Sequence, residues 1–357
     1  VKMIIEHFYI GVNVMCVGSF ACLTALPDSD LDITVVVPPD QLMEAGGERN
    51  FLNSLTFFLN KQMLEQPHAN QIDHTKDTKI TSVQFMNPNT SSSAMCLIRL
   101  VINKRISMDI SVNKIAAIAS SALVCMLQNE TVLPSNPPPP PKKTKRGIIL
   151  NKLGEFITAI KGWAEYESGK YVGQPIIGST NGMLSSYCYT IMSITIVYLF
   201  KPNTIHDFLY HFFSYFSTFS WEEELLTIKG GVPFNEIANA PPSPKFDATT
   251  DSASNSEKTL SMKIDRILHL FTDFAAKLGT GRMWVHVNTA NIQDPLDFGN
   301  NLGMKLTKEK FSLTIMAFKL ATKHMQTLHA WGSSDKKDVT LSPWYLSEKH
   351  KCLSFMW

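Results

Sequence analysis

Gly18-Ser19, followed by Pro27-Asp28-Ser29-Asp30-Leu31-Asp32-Ile33-Thr34-Val35-Val36-Val37, is the stretch on which the reading of this chain turns. The run from Ile33 is β-branched and apolar, the signature of a buried strand. Asp30 and Asp32 stand two apart at its start, and residues two apart on a strand face the same side. Two carboxylates held together repel one another, and divalent cations relieve that repulsion. The Gly-Ser turn upstream has backbone N–H groups and a hydroxyl to offer to phosphates. The combination points to a site for Mg²⁺ and a nucleoside triphosphate.

Working outward, Val12 to Val17 reads as a strand running into Gly18. Phe51 to Leu64 carries apolar residues at 51, 52, 55, 58 and 59, the spacing of an amphipathic helix. Further strands are expected over Ile80 to Phe85, Cys96 to Ile102 and Ile106 to Val112, with polar loops at 67–79 and 87–93 and a turn at Asn103-Lys104-Arg105. The last strand carries Asp109. Beside the first acidic strand it completes a triad able to hold two metal ions about 3.5–4 Å apart.

Five prolines, Pro137 to Pro141, precede Lys142, Lys143, Lys145 and Arg146. This is a stiff spacer with a basic end, and either a phosphate-binding or an import role competes there with a solvated linker. Beyond it the pattern turns helical over 148–166, 184–200, 208–219, 264–278 and 311–328, with a polar insert at 241–258 and a Gly/Asn/Pro-punctuated loop at 291–303. The expected layout is a mixed α/β domain over 1–133, a linker over 134–147 and a helical domain over 148–357 with a disordered insert at about 240–258.

A length of 357 residues allows two cores, and 44% hydrophobic with 18% charged residues describes a globular chain. With a net charge of only +2, any nucleic-acid surface has to be a local patch. Cys16, Cys22, Cys96, Cys125, Cys188 and Cys352 contain no CxxC pair and read as thiols of a reducing compartment. Residues 171–200 lack charge but include Ser185, Ser186, Thr190, Ser193 and Thr195, so a core helix is expected rather than a membrane span. His206, His211 and His269 lie among aromatics and read as structural. The opening on Val1 suggests that any leader has been lost. An intracellular protein is expected, with the nucleus ahead of the cytoplasm or a mitochondrion.

Gly18-Ser19-Phe20, the run Leu26 to Asp32 and Met108-Asp109-Ile110-Ser111-Val112-Asn113 resemble the polymerase-β-like nucleotidyltransferases. Asn181-Gly182-Met183-Leu184-Ser185-Ser186-Tyr187 and Ile292 to Gly303 narrow the resemblance to template-independent RNA 3′-nucleotidyltransferases: poly(A) polymerases of the TRAMP kind and terminal uridylyltransferases. It runs in order over about residues 12 to 328. The resemblance implies an α+β fold, a polymerase-β-like palm plus a mostly helical poly(A)-polymerase-associated domain. It implies that Asp30, Asp32 and Asp109 hold two Mg²⁺ (or Mn²⁺) ions, and that Gly18, Ser19, Asn113, Lys161 and Ser186 meet the nucleotide. Tyr187 would stack on the base, and Asp294, Asp297 and Asn300 belong to the loop that reads it.

Two positions bear on specificity. Relatives often carry a second lysine one turn after Lys161, where this chain has Glu165. Uridylyl enzymes often carry His where this chain has Asn300, and adenylyl enzymes often Asn, so ATP is expected over UTP; Asp294 and Asp297 resemble the acidic pair of some uridylyl enzymes. The expected partners are an NTP, a single-stranded RNA 3′ end and an RNA-binding protein, with no membrane. Two alternatives remain: an oligoadenylate or cyclic-dinucleotide synthase, against which the Ser186-Tyr187 and Asp294-Pro295 motifs argue, and an RNA-binding pseudoenzyme, favoured by Glu165 alone.

Overall fold

A computed structural model of the chain describes residues 1–65, 79–86, 96–128, 152–237, 267, 287 and 289–332. The chain forms two compact units, Val1–Ala122 and Leu123–Trp357. The expected linker, polar insert and helix over 264–278 lie outside the described residues, Ile267 apart.

The first unit is built on a five-stranded sheet of β1 (Asn13–Val17), β2 (Leu31–Val36), β3 (Ile80–Met86), β4 (Leu97–Ile102) and β5 (Ile106–Val112). Their order is β1-β2-β5-β4-β3. Only β2 and β5 pair in parallel; the other pairs are antiparallel. Alternation in β4 and β5 and the run of apolar residues in β2 explain the sheet. Ile33, Val35 and Val37, then Ile98, Leu100 and Ile102, then Met108, Ile110 and Val112 all enter one core, together with Phe51, Leu52, Leu55 and Leu59 of α4 (Glu48–Glu65). The intervening residues, Asp32, Thr34, Arg99, Asp109 and Ser111, therefore share the other face. One face holds the unit together and the other is left for polar chemistry.

Four further helices, the last of which runs past Ala122, carry no amphipathic signal in the sequence reading. They are α1 (Lys2–Phe8), α2 (Gly18–Ala21), α3 (Pro39–Glu44) and α5 (Ile115–Gln128). The sequence of α5, Ile-Ala-Ala-Ile-Ala-Ser-Ser-Ala-Leu-Val-Cys-Met-Leu-Gln, is apolar or small on every side, so periodicity has little to detect.

Among its described residues the second unit is mostly helical. Its elements are α6 (Leu153–Gly162), a π-helical turn over Trp163–Glu167, α7 (Gly169–Val172), α8 (Ser186–Phe200), α9 (Ile205–Thr218), α10 (Phe234–Ile237) and α11 (Lys308–Gly332). Two small hairpins accompany them, β6 (Glu224–Thr227) with β7 (Gly230–Pro233), and β8 (Gln293–Asp294) with β9 (Asp297–Asn301). The uncharged stretch becomes α8, in which every residue from Cys188 to Val197 is buried; a helix apolar all round belongs in a core. Among the described residues no helix is long and apolar enough to cross a membrane.

Thr204 caps α9 by accepting from the Asp207 N–H. This helix then buries Phe208, Leu209, Phe212, Phe213 and Phe216. Phe208 stacks on Phe156 at 4.7 Å, Phe213 meets Trp163 at 4.4 Å and Phe212 meets Phe318 at 5.7 Å. Each such ring contributes about 1.5–3 kcal/mol of burial, so this cluster ties α6, α9 and α11 together. The loop expected over 291–303 contains the β8–β9 hairpin instead, because Asn side chains supply ladder-like hydrogen bonds that hydrophobic patterning does not reveal.

Candidate active site

In the first unit, sheet register collects the acidic residues. Asp32 of β2 pairs with Asp109 of β5, and Asp109 pairs in turn with Arg99 of β4. Three strands thus place Asp32, Asp109 and Arg99 in one row on the polar face. Asp30 joins them at the mouth of β2, where its carboxylate lies 3.5 Å from the Arg99 guanidinium.

Arg99 is the member of this row that sequence reading missed. Its Nε donates to Asp109 Oδ1 at 2.8 Å and its Nη2 to Asp109 Oδ2 at 2.7 Å. This bidentate fork holds the guanidinium even more firmly protonated than usual. The sequence signal is one arginine in the otherwise apolar Leu97-Ile98-Arg99-Leu100-Val101-Ile102; its partner is visible only once the register is known. Among the described residues no three His, Cys, Asp or Glu groups stand as a ready-made metal cluster. The fit to Mg²⁺ instead rests on donor chemistry. Asp30, Asp32 and Asp109 offer hard oxygens at adjoining strand positions, and Arg99 already binds two of these groups as a cation would.

Gly18, which follows β1 and opens α2, has φ +70°, and a Cβ there would stand 2.6 Å from Asp32 Oδ2. Only glycine lets the turn come so close to that carboxylate. Gly18 N–H donates to Ser121 Oγ at 2.8 Å, so this backbone N–H, expected at a phosphate, is engaged within the unit. Asn113 stands at the exit of β5 with φ +48°. Its Oδ1 accepts from Val37 N–H at 2.8 Å and its Nδ2 donates to Val37 O at 3.0 Å. The amide thereby clamps the ends of β2 and β5 and fixes the register that pairs Asp32 with Asp109.

In the second unit, Lys161 is buried near the end of α6, and the π-helical turn begins two residues later. Glu165 lies exposed within that turn. A π turn displaces the residues after it from the α-helical face, so Glu165 does not simply repeat the direction of Lys161. At the start of α8 the cap is Ser185, whose Oγ accepts from Cys188 N–H at 3.2 Å. Ser186 is left as the exposed first residue of the helix, and Tyr187 is half-buried behind it.

This first turn lies against the β8–β9 hairpin. Cys188 Sγ contacts Leu302 O at 3.5 Å, and the neighbouring Asp294 charge adds to the burial that pushes its thiol up to about 11. In the hairpin, Asp294 Oδ1 accepts from Leu296 N–H and Oδ2 accepts from Asn300 Nδ2, both at 3.0 Å. Burial raises the Asp294 pKa. Asp297 is its register partner. Beneath them, buried Asn301 donates to Asn291 Oδ1 at 3.0 Å and accepts from Ile292 N–H and Gly303 N–H at 3.1 and 2.9 Å. A Cβ at Gly303 would meet Ala290 O at 2.0 Å, so the turn closes only with glycine. These asparagines give the hairpin a fixed shape. The second unit therefore brings Asp294, Asp297 and Asn300 together in one hairpin, and Cys188, two residues beyond Ser186, ties the start of α8 to Leu302 just past its end.

Residues 1–129 match the family model of the mitochondrial-like poly(A) RNA polymerase central palm domain, and residues 150–340 match that of the PAP/OAS1 substrate-binding domain. The chain belongs to the template-independent RNA nucleotidyltransferases. The α+β architecture that the resemblance implied is the one observed. No curated protein matches this nucleotidyltransferase in sequence. Among solved structures it is similar to a mutant of the Cid1 poly(U) polymerase bound to MgATP, at TM-score 0.55 and 14% identity over 91% of this chain and 85% of that one. Terminal uridylyl transferase 4 from Trypanosoma brucei with bound GTP gives TM-score 0.55 at 11% identity, covering 91% and 88%. A cytoplasmic RNA terminal U-transferase gives 0.52 at 14%, covering 96% and 87%. Identities this low carry the fold; the base specificities belong to those proteins.

Proposed function

We propose that this RNA nucleotidyltransferase adds AMP from ATP to the 3′ end of single-stranded RNA. The observation that carries the choice of base is the Asn300–Asp294 hydrogen bond. An ionised carboxylate only accepts hydrogen bonds, so Asn300 must turn its NH₂ toward Asp294. Its carbonyl oxygen is then the group presented away from Asp294. An acceptor suits the N6 amino group of adenine, whereas uracil shows the O4 acceptor at the corresponding edge. A site that hydrogen-bonds one edge rejects the other because buried polar groups would be left unpaired. Tyr187 adds stacking, which is tolerant of sequence.

Asp30, Asp32 and Asp109 would hold two Mg²⁺ ions, which supply a lowered pKa at the RNA 3′-hydroxyl and charge neutralisation at the triphosphate. The 3′-hydroxyl loses its proton to solvent, its oxygen bonds to the α-phosphorus as the bond to the bridging oxygen breaks, and pyrophosphate leaves with that electron pair. The chain's own contribution is to fix the carboxylates through the β2–β5 register and to offer hydroxyls at Ser19 and Ser186. A second reading, UTP, is favoured by Asp297, whose carboxylate beside Asp294 would accept from the uracil N3–H.

The test is extension of a 5′-labelled single-stranded oligoribonucleotide with Mg²⁺ and each NTP separately, with Asp32→Ala as control. A ladder with ATP that the control lacks supports the reading. A ladder with UTP alone replaces it with a terminal uridylyltransferase, and no ladder with any nucleotide favours an RNA-binding scaffold.

A further inference from the structure

Arg99 has no role in the chemistry above, yet it makes the closest ion pair to the acidic row. Its fork engages both oxygens of Asp109, at 2.8 and 2.7 Å, and its Nη2 also lies 3.5 Å from Asp30 Oδ2. A carboxylate with both oxygens held by a guanidinium cannot give either one fully to a cation. Divalent ions need such oxygens at about 2.0–2.6 Å, well inside the reach of a hydrogen-bonded arginine. The backbone at Arg99 is fixed, because Ile98 and Leu100 on either side of it are 0% exposed in the opposite core. The side chain has more freedom: it is 40% exposed, against 16% for Asp109. The guanidinium can therefore swing outward while Asp109 stays where the sheet holds it.

We propose that Arg99 is an internal counter-ion of the acidic row, which a divalent cation must displace from Asp109 in order to bind. The proposal rests on the reading of Asp30, Asp32 and Asp109 as the metal site. It has two consequences. With Arg99 in place the crowded carboxylates are neutralised by the protein itself, so folding of the first unit does not depend on metal. A free cation then binds more weakly than it would to a bare triad, because it must break the bidentate pair. A cation arriving with a triphosphate brings its own compensating charge, so the exchange favours loaded nucleotide over metal alone.

The test uses the full chain without nucleotide or RNA and Mn²⁺ alone as probe, with free Mn²⁺ read by electron paramagnetic resonance. Arg99→Met is expected to bind Mn²⁺ about tenfold more tightly than the unsubstituted protein, the scale of a partly exposed bidentate pair. Its melting temperature should fall in EDTA and recover on adding Mn²⁺. Arg99→Lys, which keeps the charge but not the fork, should bind with intermediate affinity and serves if Arg99→Met does not fold. Asp109→Asn in either background should abolish the difference. Equal or weaker Mn²⁺ binding by both Arg99 variants overturns the proposal and leaves Arg99 as an orienting partner of Asp109. Absence of Mn²⁺ binding in every protein overturns the metal-site reading along with it.

Discussion

Asp32 and Asp109 are direct register partners across the parallel pair of β2 and β5. Nearly eighty residues apart in the chain, they are neighbours because Ile33, Val35, Ile110 and Val112 bury the other face of the same two strands. A slip of one residue would turn each carboxylate into the core, so the hydrophobic pattern that folds the sheet also aims the acids. As one unit they should fail as one unit. Asp32→Asn and Asp109→Asn are each expected to lower kcat for oligonucleotide extension about a thousandfold, the scale of several kcal/mol of metal-assisted stabilisation. The double variant should be hardly worse than either single one. Circular dichroism should show the fold retained.

Gly18 supplies a separate prediction. At φ +70° and 2.6 Å between a Cβ and Asp32 Oδ2, Gly18→Ala should cost about 1–2 kcal/mol of stability from the left-handed backbone alone. Relief of the contact requires the Asp32 carboxylate to move, so extension should suffer more than stability does. Chemical denaturation and primer extension on the same preparation separate the two. Loss of stability with unchanged kcat would mean that the Asp32 position tolerates the shift.

The palm was legible because its strands are short apolar runs rich in β-branched residues and bounded by turn and loop residues. The adjacency of Asp32 and Asp109 was legible because each carboxylate stands on a strand whose apolar residues must face the core. Arg99 was not, since a lone arginine on a strand is ordinary until the register opposite Asp109 is known. The β8–β9 hairpin was hidden for a related reason: its shape comes from the Asn291–Asn301 bond and a glycine that clears Ala290 O, and these residues look like loop punctuation in one dimension. Helix α5 escaped because it lacks a polar face to set its period. Interactions that depend on pairing, rather than on local pattern, are the ones a sequence conceals.

Asn300 offers a change of function rather than a loss. Asn300→His replaces the presented acceptor with an imidazole that can donate from one nitrogen while Asp294 orients the other. The ratio of kcat/KM for ATP to that for UTP should fall by about 10–100-fold, the range available to one hydrogen-bond mismatch. An unchanged ratio would show that the base edge is read elsewhere in the second unit.

The raised pKa of Asp294 makes the same contact sensitive to pH. Burial is the chief cause, set against hydrogen bonds from the Leu296 N–H and the Asn300 side chain that favour the charged form. Because the folded pKa lies above the unfolded one, the native state binds more protons between the two values, and this group's contribution to stability falls as pH rises through the folded pKa. Below that pKa the carboxyl is neutral and can itself donate, so it no longer obliges Asn300 to present its oxygen outward. Discrimination between ATP and UTP should therefore weaken as pH drops from neutrality through the Asp294 titration. In Asp294→Asn, which cannot ionise, discrimination should be low and flat across the same range. The measurement is the ATP to UTP ratio of kcat/KM for both proteins at matched free Mg²⁺ between about pH 5 and 8; parallel profiles in the two proteins would remove Asp294 from base selection.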